Sequence, residues 1–543
     1  MYVRTIKRKN KDGSVVEYVQ LAHNVRHPKK GYAKAEVAYS FGRRDQLDVA
    51  ALKRLVNSLC RFLDPEDALK LQNQAGSLKF VSSKPYGGAY LLRHLWERLN
   101  IKSCFEQALK DREFTAPIAE ALFAMVANRA LAPTSKLAVE EWAAHDVCLE
   151  NKQKLQVQHF YRGMDFLLEH QEAIQKEVFW STANLLNLSV DLIFFDTTNT
   201  YFEIDDPGIS ELKAYGKSKQ KRDDLPQVTI GLAVTREGIP IRCWVLPGNQ
   251  HDATCVDQVQ KDLNDWQLNR VVWVMDRGMS SEENRRLLQR AGGHYILGEK
   301  LRGNDLNREV LSRGGRFREI EDNLQIKEVV VTQGSSKRRF VIVYNPEQAE
   351  YDRQTRERVL ERLRGELQAL GSRQGKAKCR LLNNQPMGRY LKELKNGNLK
   401  INLVKVKEEE KLDGKYLLST SDASLSAAEI ALGYKQLFTV ERAFRTLKTS
   451  LSLRPVYHTR DDRITSHILL CWLALLLVRV AELETGHSWE KIKATMQRLH
   501  LGEFINKNGR ILQRTELTKE QRNILKKLKI PYPKTFKKIT LTT

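Results

Sequence analysis

No CxxC pair and no cluster of cysteine with histidine occurs anywhere in this chain. Its seven cysteines (Cys60, Cys104, Cys148, Cys243, Cys255, Cys379 and Cys471) are scattered and odd in number. That spacing indicates neither a structural zinc site nor a disulfide framework, and it suits a reducing cytoplasm. Long hydrophobic runs are missing too. The longest, Ile468–Val478, is too short to span a bilayer and reads as a buried helix. The N-terminus, MYVRTIKRKNKDG, is basic but lacks the apolar stretch of a signal peptide. No internal repeat or long low-complexity segment is evident. Acid is in short supply: 66 Asp and Glu stand against 90 Lys and Arg, a net charge of +24 spread along 543 residues. Such an excess points to a polyanionic partner, most often nucleic acid. With 41% hydrophobic and 29% charged residues, the chain is globular and long enough for several domains.

Six segments are expected. Residues 1–50 alternate in short runs (Val15–Gln20, Ala35–Ser40) and form a small basic β-rich module. Residues 51–187 are helical in pattern, for example Ala89–Leu99 and Pro117–Leu131, and together with the first module suit DNA recognition. At 188–298 the pattern changes. Val190–Phe195 is a continuous apolar run, as for a strand covered on both faces, and it ends in Asp196-Thr197-Thr198-Asn199. A basic loop, Gly216–Arg222, leads to Gln227–Val234, which turns at Arg236-Glu237-Gly238 into Ile239–Leu246. Cys255–Leu268 has helical tendency, and Arg270–Met275 is a second buried strand ending in Asp276-Arg277-Gly278. Residues 299–412 break the alternation with β-prone runs and a charged helix near Glu350–Leu370, and read as a β-rich inserted domain. The core resumes over 413–484 with the strand Lys415–Thr420 and the stretch Tyr434–Lys448. Residues 485–543 form a basic helical tail, in which Thr518 and Gln521 make a capping box. Strand, hairpin, helix and strand, with an acid closing each outer strand, is the layout of an RNase H-like α/β core: a mixed sheet flanked by helices, in a multidomain chain.

Tyr434–Lys448 (YKQLFTVERAFRTLK) has no Gly or Pro, and its periodicity predicts one continuous helix. Leu437, Val440, Phe444, Leu447 and Leu451 make a buried stripe. Tyr434, Phe438, Glu441, Arg445 and Lys448 make a second stripe about 60° away, which sets Glu441 on a rim facing a cleft. Taken alone, this reads first as an amphipathic helix with a solvated Glu–Arg pair, and what lies upstream turns the reading. Two strand-end aspartates, Asp196 and Asp276, can converge with Glu441. Three carboxylates at one point hold two hard divalent cations, which suits in-line phosphoryl transfer. Asp252, in Gly248-Asn249-Gln250-His251-Asp252, competes with Asp276 for the second place, whereas Asp191, Asp205 and Asp206 fall at the far strand end or in a loop. Asp276 follows the cleaner buried strand. Lys217, Lys219, Lys221 and Arg222 make a charge run that is either a solvated loop or, beside the site, a DNA contact. His458 and His467 are expected as structural hydrogen-bonders rather than catalysts.

The set Asp196-Thr197-Thr198-Asn199, Gln227–Leu232, Gly248-Asn249-x-x-Asp252-x-Thr254, Asp276-Arg277-Gly278-Met279 and YKQLFTVERAFRTLK running into Arg454-Pro455-Val456-Tyr457-His458 resembles the DDE transposases of bacterial insertion sequences. The subgroup is the one with a long insertion between the second Asp and the Glu. Asn128-Arg129 and Ser135-Lys136 resemble the family as well. The resemblance implies that Asp196, Asp276 and Glu441 bind two Mg²⁺ ions, with Mn²⁺ able to substitute. It also implies that Tyr434 and Lys448 of a Tyr-x₂-Arg-x₃-Glu-x₆-Lys signature contact phosphates near the cleavage site. The Arg position of that signature is Leu437 here, so Arg442 or Arg445 would have to stand in. The implied partners are double-stranded DNA, as terminal inverted repeats and as target, and a second copy of the chain in the synaptic complex. The expected setting is the bacterial cytoplasm, on the nucleoid when DNA is bound. Two rival readings stand beside it: an RNase H-fold nuclease that cuts without joining, and a domesticated sequence-specific DNA-binding protein with an idle core.

Overall fold

In a computed structural model, the protein is described over residues 1–26, 32–59, 79–110, 117–150, 154–188, 190–204, 206–264, 266, 268, 271–290, 292–333, 336–370, 375–506 and 509–541. Cys60, Asp205 and the first residue of the expected 270–275 strand lie outside those residues. The chain forms two compact units. The smaller comprises residues 1–82, 503–513 and 536–543. In it, strands Tyr2–Lys9, Val15–Arg26 and Ala33–Arg43 make an antiparallel three-stranded sheet, with most outward-facing side chains exposed.

The larger unit, 83–502 with 514–535, is built on a nine-stranded mixed sheet. Its strands are β1 (Leu192–Tyr201), β2 (Gln227–Val234), β3 (Pro240–Pro247), β4 (Val272–Met275), β5 (His294–Glu299), β6 (Arg318–Glu321), β7 (Leu324–Gln333), β8 (Ser336–Tyr344) and β9 (Lys415–Thr420). The spatial order is β6-β7-β8-β9-β5-β4-β1-β2-β3. Strands β1, β4 and β5 run parallel, while β2, β3 and β9 are antiparallel to their neighbours. The turn between β2 and β3 is tight because Gly238 takes φ +78°, a left-handed conformation glycine adopts without strain.

Helices cover both faces, which is why β1, β2 and β4 read as almost unbroken apolar runs. On one face, Ile193, Phe195, Trp273 and Met275 join Trp244 and the apolar sides of α3 (Gln171–Leu186) and α4 (Asp252–Asn264) in a buried cluster that includes Trp266. These two follow α1 (Ile118–Leu131) and α2 (Val157–Glu169) in the chain; α5 (Glu282–Arg290), α6 (Ala427–Lys435), α7 (Phe438–Lys448) and α8 (Asp461–Thr485) come after. Helix α8 is long and apolar enough to cross a membrane by composition, yet 94% of its most apolar window is buried against the protein, with α1 and α2 packed on it. Ile468–Val478 is buried throughout, and its apolarity is that of a core helix.

Four expectations differ from what is found. The 485–543 tail is not wholly helical: beside the helices Trp489–Gln497 and Lys519–Lys527 it contains the strands His500–Asn506, Gly509–Arg514 and Phe536–Leu541, each with a β-branched or aromatic residue that suits a strand. Strand β1 does not end at Phe195 but continues through Asp196 to Tyr201, because Thr197–Tyr201 pair residue by residue with Gln227–Gly231. Threonine suits a pleated, buried surface, so the polar composition did not end the strand. The helix expected over 434–448 is two helices. Leu437 donates its N–H to Tyr434 O (2.9 Å) and Thr439 donates to Gln436 O (2.9 Å), three-residue turns that interrupt the helix between α6 and α7. Nevertheless Leu437, Val440, Phe444, Leu447 and Leu451 are all buried, as the stripe required. Finally, the 299–412 stretch divides in two. Strands β6–β8 extend the main sheet through β8–β9 pairing, whereas Pro346–Leu370, Lys376–Asn383 and Leu403–Glu410 are helices around their own cluster of Leu360, Leu363, Leu381, Tyr390 and Val406.

Candidate active site

The register of two parallel strands sets the site. Phe195 of β1 lies opposite Met275 of β4, and both enter the cluster on one face. The next residue in each chain is an aspartate, so Asp196 and Asp276 emerge together toward the other face, on strands about 4.8 Å apart. Asp196 sits mid-strand; Asp276 follows the last residue of β4, at the start of a turn through Arg277–Met279. Leu192, which shares its face with Asp196, meets Gly433 of α6. This is the face that α6 and α7 cover.

Two side-chain contacts pin the α6–α7 segment across the two aspartates. At one end, the Tyr434 hydroxyl donates to Asp276 Oδ1 (3.1 Å). At the other, Lys448 Nζ donates to Thr198 Oγ1 (2.5 Å), two residues along β1 from Asp196. Tyr434 fits because β5 carries Gly298 beneath it: a Cβ there would come within 2.3 Å of the phenol oxygen. Burial, then the neighbouring Asp276 charge, pushes the Tyr434 phenol well above its ordinary range, so it is a donor rather than a phenolate. Glu441 lies between the two pinned ends, on the first turn of α7. It is exposed, and no hydrogen bond or ion pair forms at its carboxylate among the described residues.

Asp196 is raised above the usual carboxylate range, first by burial, with Lys219 opposing the shift. Lys219 reaches into the site: its ammonium lies 3.4 Å from Asp196 Oδ1 and 3.3 Å from Asp252 Oδ2 and donates to the Thr197 carbonyl (2.7 Å) and hydroxyl (2.8 Å). Asp252 opens α4, and its other oxygen accepts from Thr197 Oγ1. It also faces the Asp276 turn, with Oδ2 3.6 Å from where a Cβ on Gly278 would be. Among the described residues, no three His, Cys, Asp or Glu side chains are close enough together to form a ready metal cage.

The other expected DNA contacts scatter. Lys217 and Lys221 are exposed on the loop. Arg222 turns to Asp224 and lies over the Tyr201 ring. Arg442 pairs with Glu482 (3.5 Å) on the side of α8, while Arg445 is exposed with no side-chain partner among the described residues. Leu437, where the resemblance expects arginine, is buried at the α6–α7 break. His467 is buried and approaches the Leu453 carbonyl at 3.3 Å, and burial with nearby Lys136 and Arg129 keeps it neutral. Sequence reasoning quoted Thr197, Thr198 and Arg454 within motifs but gave them no role, and it passed over Gln220. Arg454 contacts Gln220, stacks over Tyr201 at 4.8 Å and, with Lys448, Lys213 and Tyr457, lines a cleft of about 540 Å³. The alternation of β1 offered a signal for Thr198, which shares a face with Asp196. Gln220 and Arg454 gave none, since their contact spans distant segments.

The profile of the Transposase DDE domain matches residues 200–477, and that of the IS1634 family transposase N-terminal domain matches residues 3–69. No curated protein matches the chain. Among solved structures, the chain is similar to a piggyBac transposase in a synaptic complex with hairpin DNA determined by cryo-EM. That match has 11% identity, covers 75% of this chain and 79% of that one, and has a TM-score of 0.36.

Proposed function

The chain belongs to the insertion-sequence DDE transposases, and from that premise we propose that it cuts DNA at the ends of its element and joins the freed 3′-hydroxyls to target DNA. The observation that supports this reading best is the β1–β4 register, which starts Asp196 and Asp276 side by side beneath the segment bearing Glu441. The donor set fits a hard divalent cation: all oxygen, one carboxylate partly buried beside an ammonium and one exposed without a partner among the described residues. Asp196, Asp276 and Glu441 would hold two Mg²⁺ ions, or Mn²⁺ in their place, supplying Lewis-acid charge at the scissile phosphate.

The chain's own residues do the rest. Lys448, beside Thr198, and exposed Arg445 receive phosphate oxygens flanking the scissile bond. Tyr434 orients Asp276 by donating to it. Water attacks phosphorus and gives up a proton, one P–O bond forms as another breaks, and the leaving 3′ oxygen takes up a proton to become a hydroxyl. That hydroxyl then attacks a target phosphodiester in a second displacement, so no covalent protein–DNA bond is needed. Residues 1–50 and 51–187 are assigned to DNA recognition, and residues 299–412, the insertion, to element-end DNA. The core is residues 188–298 with 413–484, followed by the 485–543 tail. Two copies of the chain hold two element ends, in the cytoplasm on the nucleoid. The decisive assay incubates labelled element-end DNA, Mg²⁺ and a target plasmid with the protein. Label is expected to appear joined to the plasmid; cleaved ends that never join would leave only the nuclease reading.

Lys448 gives the binding a pH signature. Burial, then Arg454 and Lys219, push its ammonium down to about 8, with Asp196 opposing. The folded state therefore disfavours the charged lysine below about pH 8, and that cost to stability fades as pH rises from there toward 10.5. A phosphate contact needs the charge. Affinity for element-end DNA is expected to fall between pH 7 and 9 in the wild type and to stay flatter in Lys448→Met, as read by fluorescence anisotropy at fixed salt. Parallel curves would remove Lys448 from the phosphate contacts.

A further inference from the structure

The loop that bears Lys219 is basic, and two of its cations, Lys217 and Lys221, are exposed. Lys219 is exposed as well, at 37% of its side chain, but its ammonium turns inward. Its ammonium makes four short polar approaches in one place: to Asp196, to Asp252, and to the carbonyl and hydroxyl of Thr197. All four partners are oxygens, and two are carboxylates, one of them a residue assigned above to cation binding. An ammonium in such an oxygen cage sits where a cation bound at Asp196 would place its charge. We propose that Lys219 is a built-in counter-ion that competes with the metal for Asp196, and that Asp252 is the berth on which it stays when metal enters.

The geometry gives each residue its part. Without a cation nearby, the partly buried Asp196 carboxylate would be costly to ionise, and the Lys219 ammonium 3.4 Å away offsets that cost. A divalent cation held at Asp196 would repel the ammonium 3.4 Å from that carboxylate. The lysine need not leave for solvent, because it has contacts of its own to Asp252 (3.3 Å) and to the Thr197 carbonyl (2.7 Å). Asp252 in turn is steadied by the Thr197 hydroxyl and by its place at the start of α4. Lys219 and Asp252 are thus positioning residues: they set how much metal the site demands without touching the DNA.

This rests on the carboxylate reading above, and the experiment separates the two. Mn²⁺ binding to the full-length protein without DNA is followed by the electron paramagnetic resonance of free Mn²⁺. Asp196→Asn is expected to abolish binding of the tightest ion; if it does not, the carboxylate reading itself fails. Lys219→Met is expected to bind Mn²⁺ about tenfold more tightly than wild type, the weight of one unit charge a few ångströms away in high dielectric. Lys219→Arg, which keeps the charge, is expected to stay near wild type. A merely structural role for the lysine would weaken binding in Lys219→Met, and weaker or unchanged affinity overturns the proposal. Asp252→Asn is expected to weaken binding in wild type but not in the Lys219→Met background, since its effect runs through the lysine. Equal weakening in both backgrounds would make Asp252 a metal ligand and overturn its role as berth.

Discussion

Glu441→Gln is expected to lower Mg²⁺-dependent cleavage of element-end DNA by on the order of 10³-fold, ~4 kcal/mol of barrier, with DNA binding retained. The reasoning is structural. Glu441 is exposed and lacks any side-chain partner among the described residues, so the isosteric amide removes a charge without disturbing the fold. The buried stripe of α7, with Val440, Phe444 and Leu447, is untouched. Tyr434 and Lys448 still pin the segment at Asp276 and Thr198. The loss would then be one of chemistry alone, readable as a fall in kcat at saturating DNA. Cleavage at the wild-type rate would make Glu441 an ordinary rim residue, and the role assigned to α7 would collapse.

The second large effect is on stability. Glu299 ends β5 and is 4% exposed; it accepts from Arg285 of α5, itself 8% exposed, and from Ser419 of β9. Helix α5 follows the Asp276 turn directly, so this pair ties the element behind Asp276 to the sheet. Glu299→Ala leaves a buried guanidinium whose remaining partner, Glu282, is half exposed. Removing one member of such a pair costs about 3–5 kcal/mol, largely the penalty of an uncompensated buried charge. Urea unfolding of the single variant is expected to show that loss. The double variant Arg285→Met/Glu299→Leu, which removes both charges, is expected to recover most of it. Equal destabilisation by the single and double variants would mean that the packing of Arg285, not its charge, holds α5 in place.

Much of this architecture is legible in the residues. The apolar runs before Asp196 and Asp276 required doubly covered strands, and Arg236-Glu237-Gly238 required a hairpin; both are present. The capping box is there as well: Thr518 accepts from Gln521 N–H while the Gln521 side chain accepts from Thr518 N–H. These are local signals, written in neighbouring side chains. What escaped is non-local. The extension of β1 past Asp196 depends on pairing with Gln227–Val234, and threonines read as polar until that partner is known. The break between α6 and α7 has no glycine or proline to announce it, and the apolar stripe runs through it unbroken. The cage of Thr197, Lys219 and Asp252 joins three segments that no spacing rule connects. Charge counting could place Lys219 near the site but not aim it inward.

The stretch between β8 and β9 has one more property. Tyr344 and Lys415 are partners in the ladder, Asn345 donates to the Gly414 carbonyl, and Gly414 at φ +63° approaches Asn345 so closely that a Cβ would lie 2.3 Å from its oxygen. Everything from 346 to 413, with its own small hydrophobic centre, thus departs from and returns to a single rung. Topologically it is the tip of a hairpin grown into a lobe. Loop-closure entropy rises only logarithmically with length, so such a tip can lengthen or shorten by many residues at little thermodynamic cost to the ladder that bears it. For a lineage of mobile elements, this is a socket: a place where one lobe can be exchanged for another over generations while the strands beneath keep their register.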